Sequence, residues 1–130
     1  MSDISNAEFE VLDALWEEHP ASAKTLVERL NEKKPWHEKT VKTLLNRLVK
    51  KEAVSFEKVQ RSYLYSPLLQ REDYTQTESI SLIDRLFSGR VSPLIAGFAK
   101  NKNLQQDDIE DLKQIIADWE KEQGKEQSHD

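Results

Sequence analysis

The pattern of apolar and polar positions predicts three helices within residues 5–50. Ser5 followed by Glu8 has the spacing of a capping box, and His19-Pro20 marks the end of the helix that follows. Ser22 is placed to cap the second helix. Apolar residues recur at intervals of three and four in all three segments, as one buried helical face requires. The three stripes are Phe9, Leu12, Leu15 and Trp16; Ala23, Leu26, Val27 and Leu30; and Val41, Leu44, Leu45, Leu48 and Val49.

The period changes from helical to alternating after residue 53. Two short segments rich in aromatic and β-branched residues, 54–58 and 62–66, predict the strands of a hairpin. Val59, Gln60 and Arg61 are predicted to form its turn. A hairpin of this size is barely stable alone, so it has to pack against helices. Three helices followed by a hairpin predict a winged helix-turn-helix domain over residues 1–68, mainly α with a small β-wing.

A second helical region is predicted after Pro67. Ser92, followed by proline, has the pattern of a helix start, and Asp107 and Asp108 suit the first turn of a later helix. About 55 residues in three helices are too few for a convincing core of their own, so we expect a second copy of the chain to cover them. We therefore predict a helical dimerisation domain over residues 69–123 and a disordered tail over 124–130. The predicted dimer contacts are Ile83, Leu86, Phe87, Leu94, Ile95, Phe98, Ile109, Leu112, Ile116 and Trp119.

The third predicted helix carries polar and basic side chains opposite its apolar stripe. At about 100° per residue, this face consists of Lys39, Thr43, Asn46 and Lys50, flanked by Lys42 and Arg47. Asn and Arg side chains can pair with base edges in a DNA major groove, and Lys can neutralise phosphates. Lys58 and Arg61 are predicted near the tip of the hairpin, where a wing meets the DNA backbone or minor groove. The alternative is an ordinary solvated helix face, which is common on charged helices.

The basic residues are concentrated in one part of the chain. The 130 residues carry a net charge of -5, which by itself argues against a partner as acidic as DNA. Residues 33–61, however, contain nine Lys or Arg against three Glu, whereas residues 67–130 contain eight basic against thirteen acidic residues. The local field rather than the total charge steers a polyanion. The distribution therefore indicates a basic reading domain followed by an acidic remainder.

The composition of the chain argues against several other classes of protein, namely disulfide-bonded, metal-binding, membrane-spanning and enzymatic ones. The absence of cysteine excludes disulfides and thiolate metal sites. No apolar run approaches the length of a membrane-spanning helix, and no signal-peptide pattern is present, so we expect a cytoplasmic protein without membrane insertion. His19, His37 and His129 lack metal-ligand spacing, and the three glycines form no phosphate-binding loop. We therefore expect no enzymatic activity, no metal and no cofactor.

Three segments match the pattern of a known family. They are ISNAEFEVLDALWEEHPASAKTLVERL, KTVKTLLNRLVKKEAVSFEKVQRSYLYSPLL and LIAGFAKNKNLQQDDIEDLKQII, within residues 4–120. On these segments the chain resembles the penicillinase repressor family of transcriptional regulators (the BlaI, MecI and CopY group). The resemblance implies a winged-helix domain, a helical dimerisation domain, and a homodimer that represses transcription from a palindromic operator in double-stranded DNA. The DNA contacts that it implies are Lys39, Thr40, Lys42, Thr43, Asn46 and Arg47 on the reading helix and Arg61 on the wing.

The same resemblance suggests how repression is relieved. In the copper-responsive branch a C-terminal cysteine motif binds metal, and this chain has no cysteine. In the penicillinase branch a membrane sensor protease triggers cleavage of the repressor at an Asn-Phe bond in the dimerisation domain. The matching bond here is Gly97-Phe98, which retains the phenylalanine and replaces the asparagine. Cleavage here, by the sensor or by a downstream protease, is a hypothesis, and the alternative role for Phe98 is packing within the dimer.

A binding module of another class is the second interpretation of the sequence. Winged helices also mediate protein–protein contacts, and the acidic C-terminal helices could dock a partner other than a second copy. A protein-binding wing, however, does not require a cluster of basic side chains. The cluster that favours DNA consists of Lys39, Lys42, Arg47, Lys50, Lys58 and Arg61.

Overall fold

The described part of the chain, residues 3–127 of a computed structural model, contains six helices and one two-stranded antiparallel sheet. This confirms the predicted class, mainly α with a small β-wing. The chain divides into two compact units, the first ending at Glu78 and the second beginning at Ser79. The elements are α1 (Asn6–Glu17), α2 (Ala23–Asn31), α3 (Glu38–Lys50), β1 (Val54–Val59), β2 (Ser62–Pro67), α4 (Arg71–Phe87), α5 (Ser92–Lys100) and α6 (Gln106–Gln127).

The core of the first unit lies between α1, α2, α3 and the hairpin. The helical stripes face inward, because at a period of 3.6 residues each stripe covers one side of its helix. Ala53 and Val54 close the core where α3 leads into β1, and Tyr65 reaches it from β2. Phe9, which the sequence placed in the first stripe, remains 36% exposed. The largest fully buried apolar side chains are Val11, Leu12, Leu15, Leu26, Val41, Leu45, Leu48 and Val54.

Side-chain caps fix the starts of α1 and α2. The Ser5 hydroxyl accepts a hydrogen bond from the Glu8 amide at 3.1 Å, and the Ser5 amide donates to Glu8 Oε1 at 2.8 Å. The predicted capping box is therefore confirmed. Ser22 Oγ accepts from the Thr25 amide at 3.1 Å, as predicted for the second helix. These bonds satisfy N–H groups that the first turn of a helix otherwise leaves unpaired.

A buried ion pair joins the start of α1 to the end of α3. Glu8 is 1% exposed, and Lys51 Nζ lies 2.6 Å from Glu8 Oε1. The same amine donates to the Asp3 carbonyl oxygen at 2.6 Å. Burial by itself raises the pKa of Glu8, but hydrogen bonds from Lys51 and Ser5, together with the charge of Lys51, bring that pKa below its ordinary value. Glu8 is therefore ionised at neutral pH, and its ionised form depends on Lys51.

The wing is a hairpin with a two-residue turn. β1 pairs antiparallel with β2, with Val59 opposite Ser62 at the tip. Val59 therefore belongs to the strand, and its predicted place in the turn is wrong, because Gln60 and Arg61 suffice to reverse the chain. Gln60 has a φ of 59°, and positive φ in a two-residue loop matches the right-handed twist of the strands it connects.

The segment between α1 and α2 holds the base of the wing. The Ala21 amide donates to the Tyr65 carbonyl oxygen at 3.0 Å, and the Tyr65 amide donates to the Ala21 carbonyl oxygen at 2.8 Å. This bridge adds a third strand-like segment at the edge of β2. The hairpin is thereby attached to the helices through backbone bonds as well as through the buried Tyr65 side chain.

The first turns of α4 belong to the first unit because they contact α1. Arg71 Nη1 lies 2.7 Å from Asp13 Oδ1, and Trp16 Nε1 donates to the Leu69 carbonyl oxygen at 2.8 Å. These contacts attach the linker and the start of α4 to the winged-helix unit. The unit consequently extends to Glu78, whereas the sequence predicted a domain boundary after residue 68.

The second unit contains the remainder of α4, together with α5 and α6. Val91, and not Ser92, is the residue that precedes α5, and no side chain caps this helix. The predicted cap at Ser92 is wrong because the first helical hydrogen bonds, from the amides of Leu94 and Ile95, already end at the Val91 carbonyl oxygen. Ser92 is therefore inside the helix.

The last helix is longer than the sequence predicted. Asp107 and Asp108 lie in the first turn of α6, as expected. The helix continues to Gln127, past the residue 124 at which a disordered tail was predicted, because Glu, Lys and Gln are good helix formers. Residues 128–130 lie outside the described residues. Within residues 3–127, no helix is long and apolar enough to cross a membrane.

We expect Lys51→Met to destabilise the protein by about 2–3 kcal/mol at pH 7, because it leaves the buried Glu8 carboxylate without its counter-charge. The pKa of Glu8 is lowered in the folded protein, so its stabilisation is present above the unfolded pKa and is lost as the pH falls through the folded pKa. The difference between variant and parent should therefore shrink below about pH 4. Urea unfolding at pH 7 and below about pH 4 measures the difference in the free energy of unfolding between the variant and the parent protein.

Lys50→Met is the matched control, because Lys50 is the adjacent lysine and its side chain is exposed. It should change the free energy of unfolding by less than about 0.5 kcal/mol. Equal destabilisation by the two substitutions, or a Lys51→Met effect that is independent of pH, would contradict the role given to the ion pair.

Candidate functional site

The outer face of α3 brings together the residues that the sequence predicted for binding. The helix buries one side against the core, and this leaves the opposite side exposed along its whole length. We call the exposed residues that follow Glu38 the polar face of α3. They are Lys39, Thr40, Lys42, Thr43, Asn46, Arg47 and Lys50.

Most side chains of the polar face have no partner within the protein. Among residues 3–127, those of Lys39, Thr40, Asn46, Arg47 and Lys50 form no hydrogen bond or ion pair. Their donors, acceptors and charges are therefore available to a ligand.

Two residues of the polar face make local contacts. The Thr43 hydroxyl donates to the Lys39 carbonyl oxygen at 3.0 Å, so its proton is used within the helix and its methyl group and lone pairs remain. Lys42 Nζ lies 3.5 Å from Glu38 Oε1, and both side chains are more than half exposed. A solvated pair of this kind contributes little, so Lys42 can exchange it for another anion.

The turn before α3 is fixed by one side chain that the sequence did not single out. Asn31 Nδ2 donates to the carbonyl oxygens of Val27 and Trp36 at 2.7 and 3.2 Å, and Asn31 Oδ1 accepts from the Trp36 amide at 3.1 Å. Trp36 is half-buried and packs against the core. These contacts set where α3 begins, and thus where its polar face lies.

A cleft of about 210 Å³ collects basic side chains from three elements. Lys24 comes from the first turn of α2, Lys42 from α3 and Arg61 from the hairpin turn. We call it the basic cleft. Lys24 was not among the predicted contacts, although its position two residues after the Ser22 cap places it in the first turn of α2. The cleft also contains Glu38, which already pairs with Lys42.

A second cleft, of about 300 Å³, lies between α3 and the wing and is largely aromatic. Its lining consists of Asn46, Phe56, Tyr63 and Tyr65, and we call it the aromatic cleft. Phe56 and Tyr63 are 52% and 46% exposed. Burial, and to a lesser degree the neighbouring Tyr63, raises the pKa of Tyr65, so its phenol is neutral at physiological pH. The alternation of β1 and β2 placed these rings on one face, but the sequence analysis gave them no role in binding.

The tip of the wing is basic, as predicted. Lys58 and Arg61 are exposed, and Lys58 Nζ lies 5.8 Å from the centre of the Tyr63 ring. Two other lysines of the basic segment pair with carboxylates of α1, one buried and one exposed. Lys51 pairs with Glu8, and Lys34 Nζ lies 3.1 Å from the Glu10 carboxylate. The basic charge available for a ligand therefore lies on α2, α3 and the wing tip.

The second unit leaves apolar side chains uncovered. None of the residues of α4 or α5 is buried. Of the ten predicted dimer contacts, six are half-buried, namely Ile83, Phe87, Leu94, Ile95, Ile109 and Leu112. The other four, Leu86, Phe98, Ile116 and Trp119, are between 44% and 62% exposed.

The Gly97-Phe98 bond lies inside α5. The Gly97 carbonyl oxygen accepts hydrogen bonds from the Asn101 amide at 3.1 Å and from Asn101 Nδ2 at 3.0 Å. A Cβ atom added to Gly97 would meet no other group within 4 Å. The bond is accessible at the Phe98 side chain, but its carbonyl group is held in the helix.

Three packed helices with a hairpin wing, and a third helix whose outer face is polar and exposed, define a winged-helix domain. The sequence model of the family described as penicillinase repressor matches residues 4–118. The chain belongs to the penicillinase repressor family.

Two relatives match this chain over most of its length, and one solved structure matches its first part. The chain is 31% identical over 115 residues to the penicillinase repressor of Bacillus licheniformis, spanning 88% of this chain and 90% of the relative. It is 32% identical over 114 residues to the methicillin resistance regulatory protein MecI of Staphylococcus aureus strain N315, spanning 88% and 93%. The solution structure of the DNA binding domain of the repressor BlaI matches with a TM-score of 0.50 and 32% identity, over 57% of this chain and 94% of that one.

Proposed function

We propose that this protein is a sequence-specific transcriptional repressor that binds double-stranded DNA. The observation that carries the proposal is the polar face of α3, which is exposed beside a basic wing in a member of the penicillinase repressor family. The fold likeness to the DNA binding domain of BlaI covers nearly the whole of that domain. A helix of this kind fits the major groove, and a wing reaches the adjacent backbone.

The residues of the polar face divide by chemistry. Asn46 and Arg47 can form paired hydrogen bonds with base edges, and they have no internal partner to give up. Lys39, Lys42 and Lys50 suit phosphates, which position a protein on DNA without reading sequence. The remaining contacts proposed are Thr40 and Thr43 on α3, and Lys58 and Arg61 on the wing.

The alternative, a protein-binding winged helix, has less support. The basic cleft gathers Lys24, Lys42 and Arg61 from three elements, and this arrangement suits phosphate groups better than a protein surface of mixed charge. One relative is a penicillinase repressor by name and the other a methicillin resistance regulatory protein, and the match covers most of the length of both. DNA is therefore the partner we propose.

We further propose that the protein acts as a homodimer on a palindromic operator. The exposed apolar residues of the second unit support this, because large exposed apolar patches mark interaction surfaces. A dimer presents two reading helices to two half-sites, and the second contact becomes intramolecular. Linkage of this kind raises the affinity for the operator by roughly 10²–10⁴-fold over that of a single reading helix.

Asn46→Ala should relax sequence preference, because the lost contact is to a base edge. We expect the preferred operator to lose about 1–3 kcal/mol of binding free energy while binding to random DNA stays unchanged. Lys50→Ala should instead weaken binding to every DNA sequence by the same factor. It should also reduce the slope of log affinity against log salt concentration by about 1. Electrophoretic mobility-shift assays measure both effects. They use DNA from upstream of the protein's own gene and random DNA, each at two salt concentrations.

The two variants control for each other, since both side chains are exposed on the same helix. If both lost affinity uniformly for every sequence, the division into base and phosphate contacts would be wrong. If the parent protein bound neither the upstream region nor random DNA, the DNA-binding proposal itself would fail.

Trp119→Ala and Leu112→Ala should shift the protein from dimer to monomer, because each removes apolar area from the proposed interface. Sedimentation velocity should show a dissociation constant raised by at least about tenfold, given that truncating a buried interface aromatic costs about 2 kcal/mol or more. Circular dichroism should show the winged-helix unit still folded, since its core is separate. Glu110→Ala, an exposed residue of the same helix, is the control. Unchanged dimers in both variants would rule out this interface.

Release of the operator by proteolysis is a narrower part of the proposal. A membrane sensor protease, or a protease downstream of it, would cut the Gly97-Phe98 bond and separate the dimer contacts before and after it. Because the Gly97 carbonyl is hydrogen-bonded within α5, cutting requires the last turn of α5 to open first. Substrates enter proteases in extended form, so local opening sets the rate of cleavage.

Mass spectrometry of the repressor from induced cells tests this part. We expect two fragments, residues 1–97 and 98–130, to appear as the regulated gene is induced. An intact chain in fully induced cells would exclude cleavage as the mechanism of release. It would leave DNA binding and dimerisation as separate questions, each answered by its own assay.

A further inference from the structure

We propose that the aromatic cleft between α3 and the wing receives the 5-methyl group of a thymine, which makes Phe56 and Tyr63 specificity-determining residues. This inference rests on the proposed DNA-binding function and assigns one chemical group of the ligand to one cleft. The sequence predicted base contacts on α3 and only backbone or minor-groove contacts on the wing. The cleft adds a second, apolar element of readout.

The aromatic rings extend beyond what the core of the first unit uses. Tyr65 is 8% exposed and belongs to the core, whereas Phe56 and Tyr63 are 52% and 46% exposed on the same side of the hairpin. The ring centres of Phe56 and Tyr63 are 5.5 Å apart, and those of Phe56 and Tyr65 are 6.3 Å apart. The contacts hold the rings in place before any ligand arrives, so the surface is preorganised.

The opposite wall of the cleft is a base-reading residue. Asn46 lies on the polar face of α3 and lines the cleft with the three rings. An asparagine suits the N6 and N7 positions of adenine, and among base edges in the major groove only thymine presents an apolar group. A cleft with an amide on one wall and aromatic rings on the other therefore matches the two edges of A·T pairs.

The neighbouring cleft explains why the ligand is DNA. Tyr63 and Tyr65 line the basic cleft as well, together with Lys24, Lys42 and Arg61. A phosphate in the basic cleft would therefore lie next to the aromatic cleft, because the two clefts share these rings. Lys58 adds positive charge above Tyr63. The expected ligand is thus a polyanion that carries an apolar group close to its backbone. Duplex DNA meets this description, because its thymine methyl groups lie close to the phosphates.

The test begins with selection of preferred sites from random duplex DNA by the full-length protein. Each thymine of the selected site is then replaced by deoxyuridine, which removes the methyl group alone. For one thymine in each half-site, we expect the substitution to weaken binding by about fourfold per half-site, the value of one buried methyl group. Phe56→Ala and Tyr63→Ala should bind the thymine and uracil sites equally.

Val59→Ala is the matched control, because Val59 is 43% exposed on the same hairpin but does not line the cleft. It should keep the full preference for thymine over uracil. Phe56→Leu, which retains apolar bulk, guards against a folding defect in the alanine variants and should retain part of the preference. Circular dichroism verifies that each variant is folded.

Two results would overturn the inference while leaving DNA binding intact. One is a uracil effect of equal size in the parent and in both alanine variants, which would place the methyl group elsewhere. The other is the absence of a uracil effect in the parent protein, together with a uniform loss of affinity in the alanine variants, which would assign the rings to the sugars of the backbone. Failure of the parent protein to select any sequence would instead remove the proposed function, and the inference with it.

Discussion

Burial of one side of α3 is the interaction on which the rest of the protein depends. Val41, Leu44, Leu45 and Leu48 are held against α1, α2 and the hairpin, and burying such side chains contributes about 1.5–3 kcal/mol each. Since a helix has two sides, this burial necessarily turns the other side to solvent. The same residues that stabilise the fold thus present the polar face of α3 without any further device. Contacts at both ends of the helix, through Asn31 before it and Lys51 after it, then fix its position.

The charges of the first unit serve two separate purposes. Lys51 is held by the buried Glu8 carboxylate, and this pair stabilises the packing of α1 on α3, whereas the exposed pair of Lys34 with Glu10 contributes little. Within residues 3–127, the exposed bases of α3 and the wing form no ion pair apart from the weak contact of Lys42 with Glu38. A count of basic residues along the chain therefore overstates the charge that a ligand meets. It is the unpaired subset, gathered on one surface, that produces the local field.

Local signals predicted most of the fold, and convergence of distant residues accounts for what they missed. The Ser5 and Ser22 caps, the stripe of α3 and the two strands depend on residues a few positions apart, so spacing alone reveals them. The basic cleft needs Lys24 beside Arg61, and the aromatic cleft needs Asn46 beside Phe56; both require the packed unit. The turn at Val59 and the start of α5 were misassigned because backbone pairing decides both: Val59 pairs with Ser62, and the Val91 carbonyl oxygen accepts the first hydrogen bonds of α5. The domain boundary depended on Arg71 reaching Asp13, which no local pattern encodes.

The buried core belongs to the first unit, and the exposed apolar side chains of α5 and α6 belong to the second unit. This arrangement has a consequence for regulation. The first unit holds its own buried cluster, so its reading face does not depend on the exposed side chains of α5 and α6. Affinity for a palindrome, by contrast, depends on having two heads in one assembly. In the proposed homodimer, any event that separates the two copies would therefore lower operator binding by a large factor and leave each head folded. A repressor of this proposed design would be switched off through its dimer contacts, and the surface proposed to read DNA would not have to change at all.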